Sequence, residues 1–105
     1  MITIVNKKTH IVTKYDYYIG RPSALGNPYP VNTWRDRKLA ITSYENWLED
    51  MIKDDRPSVE AALLEILRIL KVHGKVNLVC WCSPDSCHGD IIKKHLESLL
   101  VTKLD

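Results

Sequence analysis

Val76-Asn77-Leu78-Val79-Cys80-Trp81-Cys82 is the stretch on which the fold turns. Strand side chains alternate between faces, so Val76, Leu78, Cys80 and Cys82 share one face and Asn77, Val79 and Trp81 the other. Apolar residues on both faces imply a central strand covered by helices. Downstream, Ser83-Pro84-Asp85-Ser86 breaks the strand, with Asp85 as a helix cap. The helix that follows carries Ile91, Ile92, Leu96, Leu99 and Leu100 on an apolar stripe, with His95 packed among them. Upstream, Gly74 ends a helix that begins after Ser58 as N-cap and runs to about Val72. Its residues Leu63, Leu64, Ile66, Leu67, Ile69 and Leu70 cover more than half its circumference and predict burial on two sides. A preceding helix, about Asp36 to Lys53, places Ala40, Tyr44, Trp47, Leu48 and Met51 on one face.

Ile2-Thr3-Ile4-Val5 and Tyr15 to Ile19 read as two further strands. The polar segment Asn6-Lys7-Lys8-Thr9-His10 between them suggests a turn and an antiparallel pair. The expected architecture is a small single α/β domain over residues 1–105, with a short mixed β-sheet packed against about three helices. Its length of 105 residues suits one domain and not two.

The formal charge of +2, from 15 basic and 13 acidic residues, argues against bulk nucleic-acid binding, which draws on a strong basic stripe. No apolar run approaches the roughly 20 residues that span a bilayer. Met1-Ile2-Thr3-Ile4-Val5 lacks the features of a signal peptide, so a cytoplasmic location is expected, in the host cytoplasm if the chain is phage-encoded. The three cysteines all fall within residues 80–87, too clustered for a disulfide framework.

Two loops hold the residues able to do chemistry. The first is Gly20-Arg21-Pro22-Ser23-Ala24-Leu25-Gly26-Asn27-Pro28, which leaves a strand as ligand loops of α/β folds do. Gly20 and Gly26 would permit positive φ and an anion-binding nest of amides. Arg21 would add a bidentate donor, and Ser23 and Asn27 polar reach. The competing reading is a rigid turn in which the glycines relieve strain and Arg21 pairs with a carboxylate.

The second loop is Cys80-Trp81-Cys82-Ser83-Pro84-Asp85-Ser86-Cys87-His88-Gly89-Asp90, again between a strand and a helix. Cys87 and His88 would lie at the first turn of that helix, where unpaired amides favour a thiolate or an anion. Cys80, Cys82, Cys87 and His88 are zinc-ligand types, but they form a single cluster without a second knuckle, so no bound metal and no cofactor is expected. A nucleophile, Cys87 or Cys82, assisted by His88 is a second reading. The third is packing, which suits Cys80 and Cys82 as small hydrophobes. Asp90 either caps the helix or orients His88. Trp81 either packs a helix or floors a pocket that stacks a base.

In combination, Tyr18-Ile19-Gly20-Arg21-Pro22-Ser23-Ala24-Leu25-Gly26-Asn27-Pro28 and Leu78-Val79-Cys80-Trp81-Cys82 with Cys87-His88-Gly89-Asp90 resemble the domain-of-unknown-function family numbered 4326. That family occurs in bacteria and phages. The resemblance extends from Ile4 to about Leu99 and implies a compact α/β domain with both loops at one pocket.

Two functions are expected to compete. One is binding of a small anionic nucleotide- or nucleoside-like ligand between the Gly20–Pro28 and Cys82–Asp90 loops, with hydrolase or transferase chemistry on it. Gly20, Arg21, Ser23, Gly26, Asn27, Trp81 and Cys82 would bind, while Cys87, His88 and Asp90 would act. The other is a non-catalytic binder that sequesters or senses a nucleotide signal. The loops contain no paired carboxylates and no recognisable triad.

Overall fold

A computed structural model describes residues 1–28, 34–81 and 88–104. Among these the chain forms β1 (Ile2–Asn6), β2 (Asp16–Tyr18), α1 (Trp34–Lys53), α2 (Pro57–His73), β3 (Val76–Cys80) and α3 (His88–Leu104). The sheet order is β1-β3-β2, with β3 central and parallel to both neighbours. The fold is α/β, with three helices and a three-stranded sheet.

The antiparallel β1–β2 pair expected above does not form, and the sheet is parallel throughout rather than mixed. The two-sided apolar character of β3 explains this. A strand whose two faces are covered has no water to satisfy backbone N–H and C=O groups at its edges, so β3 takes a partner on each side, β1 and β2. The segment between them is a crossover instead of a turn. It leaves the carboxyl end of β1 and returns to the amino end of β2, across the sheet face away from the helices.

Asp16 anchors that crossover. Its carboxylate accepts hydrogen bonds from the Thr13 amide (2.9 Å), the Thr13 hydroxyl (2.7 Å), Asn77 Nδ2 (3.1 Å) and His10 Nε2 (3.0 Å). The register puts Asp16 beside Asn77 and Tyr18 beside Val79 on this face. The other face carries the core. Ile2, Val76, Leu78 and Cys80 meet Tyr44 and Leu48 of α1, Ile66 of α2, and Ile92 and Leu96 of α3. The chain thus crosses outward over one face and returns over the other, as two crossovers of one hand must do when they run in opposite directions.

Boundaries differ in informative ways. α2 starts at Pro57 with Arg56 as N-cap, so Ser58 is not the cap. Proline lacks the amide that a first-turn residue leaves unpaired, and its fixed φ suits that position. Gly74 closes the helix in the left-handed region at φ 77°. Only one stripe of α2 is buried, through Val59, Ala62, Leu63, Ile66 and Ile69, and Leu64 is 59% exposed. β3 stops at Cys80, two residues short of the expected end. No helix among the described residues is long and apolar enough to cross a membrane.

Candidate functional site

Parallel strands send all their carboxyl ends to one edge of a sheet, where α/β folds bind ligands. Here that edge gathers Asn6 at the end of β1 with Lys7 after it, Ile19-Gly20-Arg21 after β2 and Trp81 after β3. Hydrogen bonds tie the three ends together. The Lys7 amide donates to the Cys80 carbonyl (2.7 Å) and the Ile19 amide to the Val79 carbonyl (2.9 Å). Asn6 Nδ2 donates to the Trp81 carbonyl (3.2 Å), and Trp81 Nε1 to the Tyr18 hydroxyl (3.1 Å). That hydroxyl in turn donates to the Arg21 carbonyl (2.7 Å), so one chain of contacts runs from β1 to the first loop.

The Gly20–Pro28 loop is a rigid scaffold. The Ser23 amide donates to the Gly20 carbonyl and the Gly26 amide to the Ser23 carbonyl, both at 2.9 Å. Arg21 Nε donates to the Asn27 carbonyl at 2.5 Å, and the buried Tyr44 hydroxyl to that of Leu25 at 2.7 Å. Leu25 is a fully buried core residue. Neither Gly20 nor Gly26 has positive φ, contrary to expectation. Their reason is space. A Cβ on Gly26 would lie 3.0 Å from the Gly20 and Ser23 carbonyl oxygens, and one on Gly20 would enter the Tyr18 ring. Two of the amides expected to form a nest therefore close turns. Ser23 Oγ is buried without a hydrogen-bond partner among the described residues.

His88 joins the second loop to the first. It is 6% exposed, packs edge-on against Tyr44 with ring centroids 5.0 Å apart, and its Nε2 lies 2.6 Å from the Ile19 carbonyl. A carbonyl only accepts, so Nε2 carries the proton and a neutral ring keeps its lone pair on Nδ1. Burial depresses the imidazole pKa; the bond to Ile19 raises it, Arg21 lowers it and Asp90 raises it. Arg21 and Asp90 are both exposed at the surface beside it. Trp81 is 56% exposed at the end of β3. Cys82 and Cys87 lie outside the described residues, and with them the thiol and zinc readings of the second loop.

Gly20, Arg21, Ser23, Gly26, Asn27, Trp81 and His88 are thus connected through Tyr18, Ile19 and the turn at Gly20. The sequence profile of a domain of unknown function, DUF4326, matches residues 2–98. The chain belongs to the DUF4326 family. No curated protein and no solved structure matches this DUF4326 domain.

Sequence reasoning assigned no role to three residues of this edge: Asn6, Lys7 and Tyr18. Asn6 and Lys7 read as turn residues and Tyr18 as a strand residue, because nothing local says which edge of the sheet a strand end will reach. A useful signal was present in hindsight. Polar residues directly after an apolar strand occupy the ligand edge if that strand is parallel, and the parallel pairing was the part not legible.

Proposed function

We propose that the protein binds a small anionic, nucleotide- or nucleoside-like ligand at the carboxyl edge of its parallel sheet, with Arg21 as the principal anion contact. The observation that carries this reading is the joining of Asn6, Trp81 and Arg21 across three strand ends by one set of hydrogen bonds. Such a rigid polar edge suits recognition, because little side-chain ordering is left for binding to oppose. With the Ser23 and Gly26 amides closing turns, the grip on an anion falls to the guanidinium, whose planar fork matches phosphate or carboxylate. An exposed indole nearby suits a flat, aromatic ligand.

Binding is the part of the reading that the described residues support, since Cys82 and Cys87 lie outside them. His88 is buried, neutral and committed through Nε2 to the Ile19 carbonyl, which suits a residue that holds the loop in place. A thermal-shift screen of nucleotides, sugar phosphates and nucleosides tests the reading. A ligand that binds only the native state raises the melting temperature with its concentration. Arg21→Ala should stay folded and weaken binding by roughly 1.5–3 kcal/mol, the range for charge-assisted hydrogen bonds. Failure of every anionic compound to stabilise the wild type, or unfolding of Arg21→Ala, makes Arg21 a structural residue and ends the proposal.

A further inference from the structure

Lys7 belongs to neither sequence motif, yet it sits at the strand-end edge, directly after β1. Its amide is fixed to the Cys80 carbonyl at 2.7 Å. Its ammonium lies 4.5 Å from the centroid of the Tyr18 ring and 5.5 Å from that of Trp81. A lysine held over two rings keeps its charge in one place instead of sweeping through solvent.

Trp81 is unusual in the opposite sense. Large aromatic side chains gain by burial and are seldom left in water. This one is 56% exposed but pinned at both ends, the carbonyl by Asn6 and the indole N–H by Tyr18. Its polar atom is satisfied within the protein, so what it offers a ligand is its flat apolar surface. A fixed ring with a fixed ammonium over it matches a molecule with a π-face and an anionic group close together, and the Arg21 backbone, which opens the first loop, is tied to the same Tyr18 hydroxyl through its carbonyl.

We propose that Lys7, Tyr18 and Trp81 form a subsite for a free nucleoside monophosphate, with the base stacked on Trp81 and the phosphate shared by Lys7 and Arg21. This rests on the ligand reading above and narrows it: a nucleoside lacks the anion, and a sugar phosphate lacks the ring. A free mononucleotide fits better than a nucleic-acid strand, because tight binding of a strand neutralises many phosphates and the whole chain carries only +2.

Calorimetric titration separates the parts. The four common nucleoside 5′-monophosphates, the matching nucleosides, inorganic phosphate and a short single-stranded oligonucleotide are titrated into wild type, Trp81→Ala, Lys7→Gln and Arg21→Gln. At least one monophosphate should bind more tightly than its nucleoside or phosphate alone. Trp81→Ala should weaken that monophosphate and its nucleoside about tenfold or more and weaken phosphate far less. Lys7→Gln should weaken the monophosphate and phosphate about tenfold and spare the nucleoside.

If a variant fails to fold, the wild type still reports, through the indole N–H resonance of Trp81, which must shift with the monophosphate and not with phosphate. Monophosphate binding that is lost in Arg21→Gln but unchanged in both Lys7→Gln and Trp81→Ala overturns the subsite and leaves the Arg21 reading standing. Preference for a sugar phosphate, or for the oligonucleotide over every monophosphate, also overturns it. Absence of any anion binding removes both proposals together.

Discussion

Asp16 shows how one side chain can hold a crossover that has no helix. Burial alone raises its carboxyl pKa, but hydrogen bonds from Thr13, Asn77 and His10 outweigh it and bring the value from 3.8 down to about 2. A carboxylate with a depressed folded-state pKa adds stability above its unfolded value, and loses it as the pH falls through the folded one. For this side chain, 14% exposed, the shift corresponds to roughly 2 kcal/mol, present at pH 7 and lost between about pH 4 and 2. Urea midpoints should therefore separate wild type from Asp16→Asn at pH 7 and converge near pH 2. His88 titrates in a different window. Burial depresses its pKa, so the unfolded chain takes up a proton first and stability tied to this ring declines as pH falls below about 6.5. His88→Phe keeps an aromatic ring against Tyr44 and leaves the buried Ile19 carbonyl without its donor. It should lose about 1–3 kcal/mol at pH 7 and flatten the slope of stability between pH 5 and 7 in denaturant titrations.

The elements differ in how far local sequence decides them. The stripe Ala40, Tyr44, Leu48 on α1 and the stop at Gly74 are legible because helix period and the left-handed cap are local physics. The start of α2 is less so, since Pro57 and Ser58 are both good first-turn residues for different reasons and only the backbone path chooses between them. Strand pairing is not legible at all from β1 and β2, because a partner is chosen by the whole sheet. The first loop depends on close backbone packing, which yields a contrast between two glycines. Gly26→Ala puts a Cβ 3.0 Å from two carbonyl oxygens and 3.1 Å from the Arg21 Cα. Backbone cannot yield as a side chain can, so this change should cost about 1–3 kcal/mol and weaken ligand binding through Arg21. At Gly74 nothing lies within 4 Å, and Ala there should cost only the left-handed strain, about 1–2 kcal/mol, with binding untouched. Thermal melts and ligand titrations of the two variants separate a packing glycine from a conformational one.

At the scale of the molecule, β3 is the hub between core and site. Its inner residues Val76, Leu78 and Cys80 are fully buried under the helices, and its end places Trp81 at the carboxyl edge of the sheet. Leu78→Ala should cost about 2–5 kcal/mol in chemical denaturation, as large-to-small core changes do. Variants of Trp81, outside that core, should leave the midpoint nearly unchanged. The sequence by itself determined the α/β class, the three helices, the centrality of β3 and the two loops where polar chemistry gathers. Each of these follows from periodicity, caps or two-sided apolar character, which act over a few residues. Only the tertiary structure decided that β1 and β2 flank β3 in parallel, that His88 reaches back to Ile19, and that Lys7 stands over Tyr18 and Trp81. Except for Lys7 and Tyr18, those contacts join residues roughly sixty to seventy-five positions apart, and their partners are selected by burial of the whole sheet, a global quantity that no local window contains.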